Sequence, residues 1–178
     1  MSTHRGATII RRPGPGDVPT IARIWHTGWL DGHAGNVPAD LVRHRRGAQF
    51  LHRAEQRHET SWVATSDDVV VGFVVVRGDE VEQLYVDRPA RGTGVAAALL
   101  RAAVAEIRAG GHERAWLAVV AGNRRARVFY TREGWRDAGP ISYEAETEEG
   151  VFTVPSHRYE IDLSRCGGLD HAEAEARR

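Results

Sequence analysis

The chain has 178 residues, 42% of them hydrophobic, which is enough to fill one core without disulfide or metal staples. Lysine plus arginine and aspartate plus glutamate both total 24, so the formal net charge is zero and no long-range attraction to nucleic acid or anionic lipid is implied. The single cysteine, Cys166, excludes an intramolecular disulfide, and its Gly-rich, charged surroundings give a catalytic thiol no rigid setting.

Met1 to Arg12 contains no apolar h-region, and no stretch approaches the roughly 18 uncharged apolar residues of a spanning helix, so a cytoplasmic protein is expected. Ala7 to Arg11 reads as a short strand. After the turn Pro13-Gly14-Pro15-Gly16, Asp17 is placed to cap a helix from Val18 to Leu30, with Ile21, Ile24, Trp25 and Gly28 at helical spacing. Asp31-Gly32 is expected to end it. A second helix is predicted from Pro38 to about Arg57, with Leu41, Ala48 and Leu51 facing inward.

The period then changes from helical to alternating. Trp62 to Thr65, the turn Ser66-Asp67-Asp68 and the valine-rich Val69 to Val76 predict an antiparallel hairpin. A third strand, Glu80 to Val86, is expected to carry Glu80, Glu82, Leu84 and Val86 on one face and Val81, Gln83 and Tyr85 on the other. A glycine turn and an alanine- and leucine-rich helix ending at Ala109 follow. The remaining predicted elements are a buried strand at Ala115 to Val120, a helix from Asn123 to about Glu133, and strands near Trp135 to Ala138 and Val151 to Leu163. Residues 1–163 are read as one domain and residues 164–178 as a flexible tail.

The glycine turn Arg91-Gly92-Thr93-Gly94-Val95-Ala96 carries the most information. Glycines let the backbone approach a ligand, and the helix that begins there presents unpaired N–H groups to phosphate oxygens. Gly92-x-Gly94-x-x-Ala97 also fits a dinucleotide fingerprint, but that reading requires a parallel sheet, and the strands before the turn read as an antiparallel meander.

Arg91 to Ala96, directly after Leu84-Tyr85-Val86, resembles the acyl-CoA pyrophosphate loop of the GCN5-related N-acetyltransferases (GNAT family). Asn123-Arg124-Arg125-Ala126-Arg127-Val128-Phe129-Tyr130-Thr131-Arg132-Glu133-Gly134-Trp135 resembles the same family's Asn-x-x-Ala-x-x-Phe-Tyr-x-x-x-Gly-aromatic element. The resemblance covers roughly residues 7 to 163. It implies a mixed α/β fold, a mostly antiparallel central sheet flanked by helices, and acetyl-CoA as co-substrate. It further implies that the strand ending at Val86 splays from the one at Ala115 to Val120, leaving main-chain groups of Leu84, Tyr85 and Val86 for the pantetheine arm. Arg91, Gly92, Thr93, Gly94, Val95 and Ala96 would wrap the pyrophosphate. Asn123 would contact the cofactor, and Tyr130 would lie near the thioester sulfur as proton donor.

An alkyl ammonium must lose a proton before it attacks a thioester, so a base is required. Glu80 and Glu82 border the expected cleft, and the resemblance favours Glu80. Trp25, His26, Trp29 and His33 fall where the family's acceptor pocket usually lies. Glu144, Glu146, Glu148 and Glu149, between the last two predicted strands, are expected to draw a cationic amine. The nine histidines show no metal-ligand spacing, so no metal is expected. The acceptor is a small-molecule or peptide amine, homodimerisation is left open, and the competing reading is a non-catalytic acyl-CoA sensor.

Overall fold

The computed structural model describes residues 7–33, 35–147 and 150–164, with only the backbone of Glu146. Cys166 and almost all of the expected tail lie outside the described residues, as do Glu148 and Glu149.

In chain order the elements are β1 (Ile9–Arg11), α1 (Val18–His33), α2 (Ala39–His44), α3 (Gly47–Gln56), β2 (Ser61–Ser66), β3 (Val69–Arg77) and β4 (Glu80–Val86). After these come α4 (Val95–Ala109), β5 (Arg114–Val120), α5 (Arg124–Arg132), β6 (Arg136–Thr147) and β7 (Gly150–Asp162). The strands form one sheet in the order β1-β2-β3-β4-β5-β7-β6. Every adjacent pair is antiparallel except β4 with β5. The fold is therefore the expected mixed α/β one, and the parallel sheet of a dinucleotide fold is excluded.

β3 is valine-rich because it is buried on both faces. Val74 and Val76 join Leu99, Leu100, Ala103 and Ile107 of α4, while Phe73 and Val75 join Ile21, Trp25 and Trp29 of α1 and Phe50 of α3. The approach of α1 to the sheet requires Gly28: a Cβ there would sit 2.4 Å from Cδ1 of Tyr85.

Four expectations need correction. α1 continues through Asp31-Gly32 to His33, with the Asp31 side chain turned to Arg88 and Arg91 across the molecule. The helix expected from Pro38 to Arg57 is two helices, broken where Arg45 leaves helical geometry (φ −86°, ψ 72°). In the second of them Phe50 and Ala54 face inward, and Ala48 and Leu51 are exposed.

The last two strands are far longer than predicted. β6 and β7 pair continuously from Arg136↔Glu160 to Thr147↔Gly150, so Glu144 and Glu146 are strand residues rather than loop residues. Gly139-Pro140 breaks the alternation that would have revealed this, and a register shift between Asp137 and Gly139 absorbs it.

Finally, the strict alternation expected for β4 fails. Val75 opposes Gln83 but Val76 opposes Val81, which leaves Glu82 as an extra residue on β4. This bulge switches parity, so Val81, Leu84 and Val86 all pack against the α4 side. Tyr85 packs on the α1 side, and Glu82 pairs there with Arg57, which follows α3.

Candidate active site

The parallel pair β4–β5 is where the sheet opens. Its register holds one Cα pair, Glu80↔Trp116, beside a bond from the Trp116 N–H to the Asp79 carbonyl (3.0 Å). On the other side of β4 the Asp87 N–H donates to the Val71 carbonyl (2.8 Å). In an antiparallel ladder alternate residues face the partner, so Tyr85 turns its main chain to Phe73 while Leu84 and Val86 turn theirs into the opening toward β5. Arg91 Nε already donates to the Val86 carbonyl (3.1 Å).

Beyond Val86 the chain turns through Arg88–Ala90 into the glycine loop. Gly92 (φ 77°) and Gly94 (φ 91°) adopt left-handed conformations that side chains disfavour, and a Cβ at either would meet no protein atom within 4 Å. Gly94 is the N-cap of α4 and supplies no side-chain cap, so the first-turn N–H groups of Val95, Ala96 and Ala97 point outward as donors. Thr93 Oγ1 donates to the Ala90 carbonyl (2.6 Å) and tightens the turn. Asp31 anchors the loop to α1 by accepting from Arg88 (2.5 and 3.0 Å) and Arg91 (2.8 Å), and these bonds hold its carboxyl well below the usual carboxylate range.

A cavity of about 410 Å³ opens where β4 and β5 diverge. Glu82 to Tyr85 and Leu117 to Val120 supply the sheet side, Trp29, His33, Arg45, Gln49 and Arg53 the helical side, and Tyr143 and Glu144 part of the rim. Asn123 and Tyr130 also line it. Asn123 Oδ1 accepts the Ala126 N–H (3.2 Å), so this residue caps α5 as well as facing the cavity. Tyr130 is 9% exposed and its ring packs among Phe129, Trp135 and Tyr159. Burial raises its pKa above the ordinary phenol value, which keeps the hydroxyl protonated.

Of the two glutamates, only Glu82 lines the cavity, and it accepts a forked pair from Arg57 (2.8 and 3.1 Å). Glu80 is 3% exposed and reaches the cavity through Tyr143, whose hydroxyl donates to its Oε1 (3.0 Å). Burial raises the Glu80 pKa, against the lowering effect of bonds from Tyr143 and Arg77. Tyr143 had no signature in the sequence. It reaches the cleft only because β6 runs past the expected end at Ala138.

The first helix divides. Trp29 and His33 line the cavity, their rings stacked at 5.0 Å, whereas Trp25 is fully buried in the core and His26 stacks on Phe50 away from the cavity. The His33 pKa falls to about 4 because the ring is buried, despite the bond it makes through Nδ1 to the Trp29 carbonyl (3.1 Å). The wall is also more basic than the acidic segment led one to expect: Arg45, Arg53, Arg57 and Arg77 all line it. Among the described residues no group of three or more His, Cys, Asp or Glu side chains could hold a metal, and no helix is long and apolar enough to cross a membrane.

A mixed sheet parted between two parallel strands, with a glycine loop at the helix that follows the first of them, defines an acyl-CoA N-acyltransferase-type fold. The model of the acetyltransferase (GNAT) family matches residues 24–135, and the chain belongs to that family. Uncharacterized N-acetyltransferases of Mycobacterium tuberculosis and Mycobacterium bovis are 37% identical over 101 residues. The match takes in 54% of this chain and 65% of each relative, so the chain spans just under two thirds of their length.

Solved structures share the fold at low identity. A GCN5-related N-acetyltransferase from Rhodopseudomonas palustris superposes with a TM-score of 0.67 at 18% identity, covering 90% of this chain and 100% of its own. The ribosomal-protein-S18-alanine N-acetyltransferase of Escherichia coli gives 0.62 at 21% identity, covering 92% and 98%. The PaiA N-acetyltransferase of Thermoplasma acidophilum, solved with coenzyme A, gives 0.63 at 15% identity, covering 88% and 99%.

Proposed function

We propose that this chain is an acetyl-CoA-dependent N-acetyltransferase in which an amine attacks the thioester directly within a ternary complex. The observation that carries the reading is the opening between β4 and β5, where main-chain groups of Leu84 and Val86 face a gap instead of a neighbouring strand beside the cavity that holds Tyr130. The opening suits an extended pantetheine arm, which can hydrogen-bond as a strand would. The loop from Arg91 to Ala96 suits the pyrophosphate, since its glycines present backbone and the first turn of α4 presents donors to an anion. Asn123, at the start of α5 on the cavity wall, would contact the same molecule. Bound there, acetyl-CoA would supply an activated acetyl group.

The chain's own groups cover the remaining chemistry. Glu80, with its raised proton affinity, is the base: Tyr143 accepts a proton from the acceptor ammonium while passing its own to Glu80 Oε1. Glu82 is the alternative acceptor of that proton from within the cavity. The Leu84 N–H, turned into the opening, would stabilise the charge that the carbonyl oxygen gains as the C–N bond forms. Tyr130 then protonates the departing sulfur as the C–S bond breaks, and the second proton leaving the nitrogen restores the Tyr130 hydroxyl. No covalent enzyme intermediate is needed.

Initial-rate kinetics with acetyl-CoA and a turned-over amine test the mechanism. Intersecting double-reciprocal lines are expected, and parallel lines would indicate a covalent acetyl-enzyme instead. Tight acetyl-CoA binding without thiol release on amino acids, polyamines, aminoglycosides and peptide N-termini would favour the sensor reading.

A further inference from the structure

Arg53 lies on the inward stripe of α3, one turn after Phe50 and beside Ala54, and lines the cavity. Its guanidinium sits 4.5 Å from the centre of the buried Trp25 ring. Among the described residues its side chain makes no hydrogen bond and no ion pair. The carboxylates near it are engaged elsewhere: Glu82 takes both bonds from Arg57, and Glu80 takes those of Arg77 and Tyr143. Arg45, itself buried, adds positive charge beside it.

Partial burial makes this charge costly, no side chain or carbonyl among the described residues bonds its donors, and its planar fork matches a carboxylate. One turn earlier on the same helix, Gln49 also lines the cavity, and its amide oxygen is buried without a hydrogen-bond partner. That oxygen calls for an N–H donor. The two sites are about 6 Å apart along the helix axis, the scale of one small molecule.

We infer that the acceptor is an amino acid-type molecule, carrying a carboxylate as well as the amine, with Arg53 binding the carboxylate and Gln49 the amine. The inference rests on the acetyl-transfer reading of the same cavity, and it sets Glu144 at the rim in second place as a determinant of the substrate. The carboxylate neutralises the half-buried guanidinium, and the amine, held by Gln49, lies in the same cavity that Leu84 and Tyr143 line.

The test is acetyl-CoA thiol release over the free amino acids, their carboxamides and the corresponding decarboxylated amines, with acetyl-CoA binding followed separately by calorimetry. At least one amino acid is expected to be turned over well above its amide and amine. For that substrate Arg53→Gln should raise KM by about 10- to 100-fold, the loss of one charge-assisted pair, with the KM of acetyl-CoA held within twofold. Arg53→Lys, keeping charge without the fork, should recover part of the effect, and Gln49→Leu should raise the same KM in a variant that leaves the contact of Arg53 with Trp25 untouched. Amides or simple amines turned over as well as the acids, turnover of none of the amino acids, or an unchanged KM in a folded Arg53→Gln protein would each overturn the inference and leave acetyl transfer standing. Absence of acetyl-CoA binding would instead defeat the acetyl-transfer reading and take the inference with it.

Discussion

Replacing Gly94 by alanine isolates what the glycine loop does. At φ 91° the residue occupies left-handed space, yet a Cβ there meets no protein atom within 4 Å, so the substitution adds backbone strain without a clash. Left-handed geometry costs a non-glycine residue about 1–2 kcal/mol. For a chain of this size, about 2–4 °C of Tm per kcal/mol gives a fall of about 2–8 °C. Coenzyme A at 100 times its Kd adds about 2.7 kcal/mol to the wild type, or about 5–11 °C. If relief of the strain turns the Val95 and Ala96 amides away from the pyrophosphate, losing one or two charge-assisted bonds weakens binding about 100-fold. The same ligand concentration then contributes only about 0.4 kcal/mol, or about 1–2 °C. Thermal denaturation with and without coenzyme A measures both quantities. Gly78→Ala is the control, because Gly78 also has a positive φ (60°) and open space but sits in the β3–β4 turn. It should lower Tm comparably and keep the full ligand shift. A folded Gly94→Ala protein with the wild-type shift would refute the assignment of the loop.

Tyr130→Phe keeps the ring packed on Trp135 and Tyr159, so acetyl-CoA affinity should hold while kcat falls by about 10- to 10⁴-fold; near-normal turnover, with chemistry shown to limit the rate, would remove the hydroxyl from the leaving-group step. Glu80→Gln and Tyr143→Phe should each lower kcat, and the double variant should be no slower than the worse single one, because one proton route is broken in each; additive losses would mean independent roles. His33 gives a pH signature. With a folded pKa near 4 against 6.5 for the free side chain, the unfolded chain binds the extra proton first, so stability is full above about pH 7 and falls as pH drops toward 4, by up to about 3 kcal/mol. Denaturant titrations should show this component in the wild type and not in His33→Gln, and equal slopes in the two would contradict the burial of a neutral ring.

The parts of this fold that local chemistry dictates were legible before any coordinates. The valine-rich run of β3 and the Ser66-Asp67-Asp68 turn before it marked the β2–β3 hairpin, the glycines marked the loop before α4, and Asn123 marked the start of α5. The parts that depend on partners distant in sequence were not. Little near Arg45 signals the break between α2 and α3, because the one glycine there, Gly47, is of a kind that a continuous helix tolerates. The bulge at Glu82 exists only in relation to β3, and without it Leu84 was paired with the wrong face. Trp25 and Trp29 look alike on a helical wheel and both touch Phe50, yet Trp25 also packs on Phe73 in the core while Trp29 stands in the cavity wall. For Arg53 the signal was present: Phe50, Arg53, Ala54 and Arg57 recur at helical spacing, which puts two arginines on a buried stripe. That pattern is hidden when the charged face of a helix is assumed to be solvated.

Acetyl transfer itself is tested most directly with isotope-labelled acetyl-CoA and a pooled set of amines, followed by mass spectrometry of the small molecules and of the intact protein. The expected result is label in an amide of a released product, dependent on Tyr130, with none on the protein chain. Label retained on the protein, or acetyl-CoA bound and left intact in the presence of every amine, would contradict it.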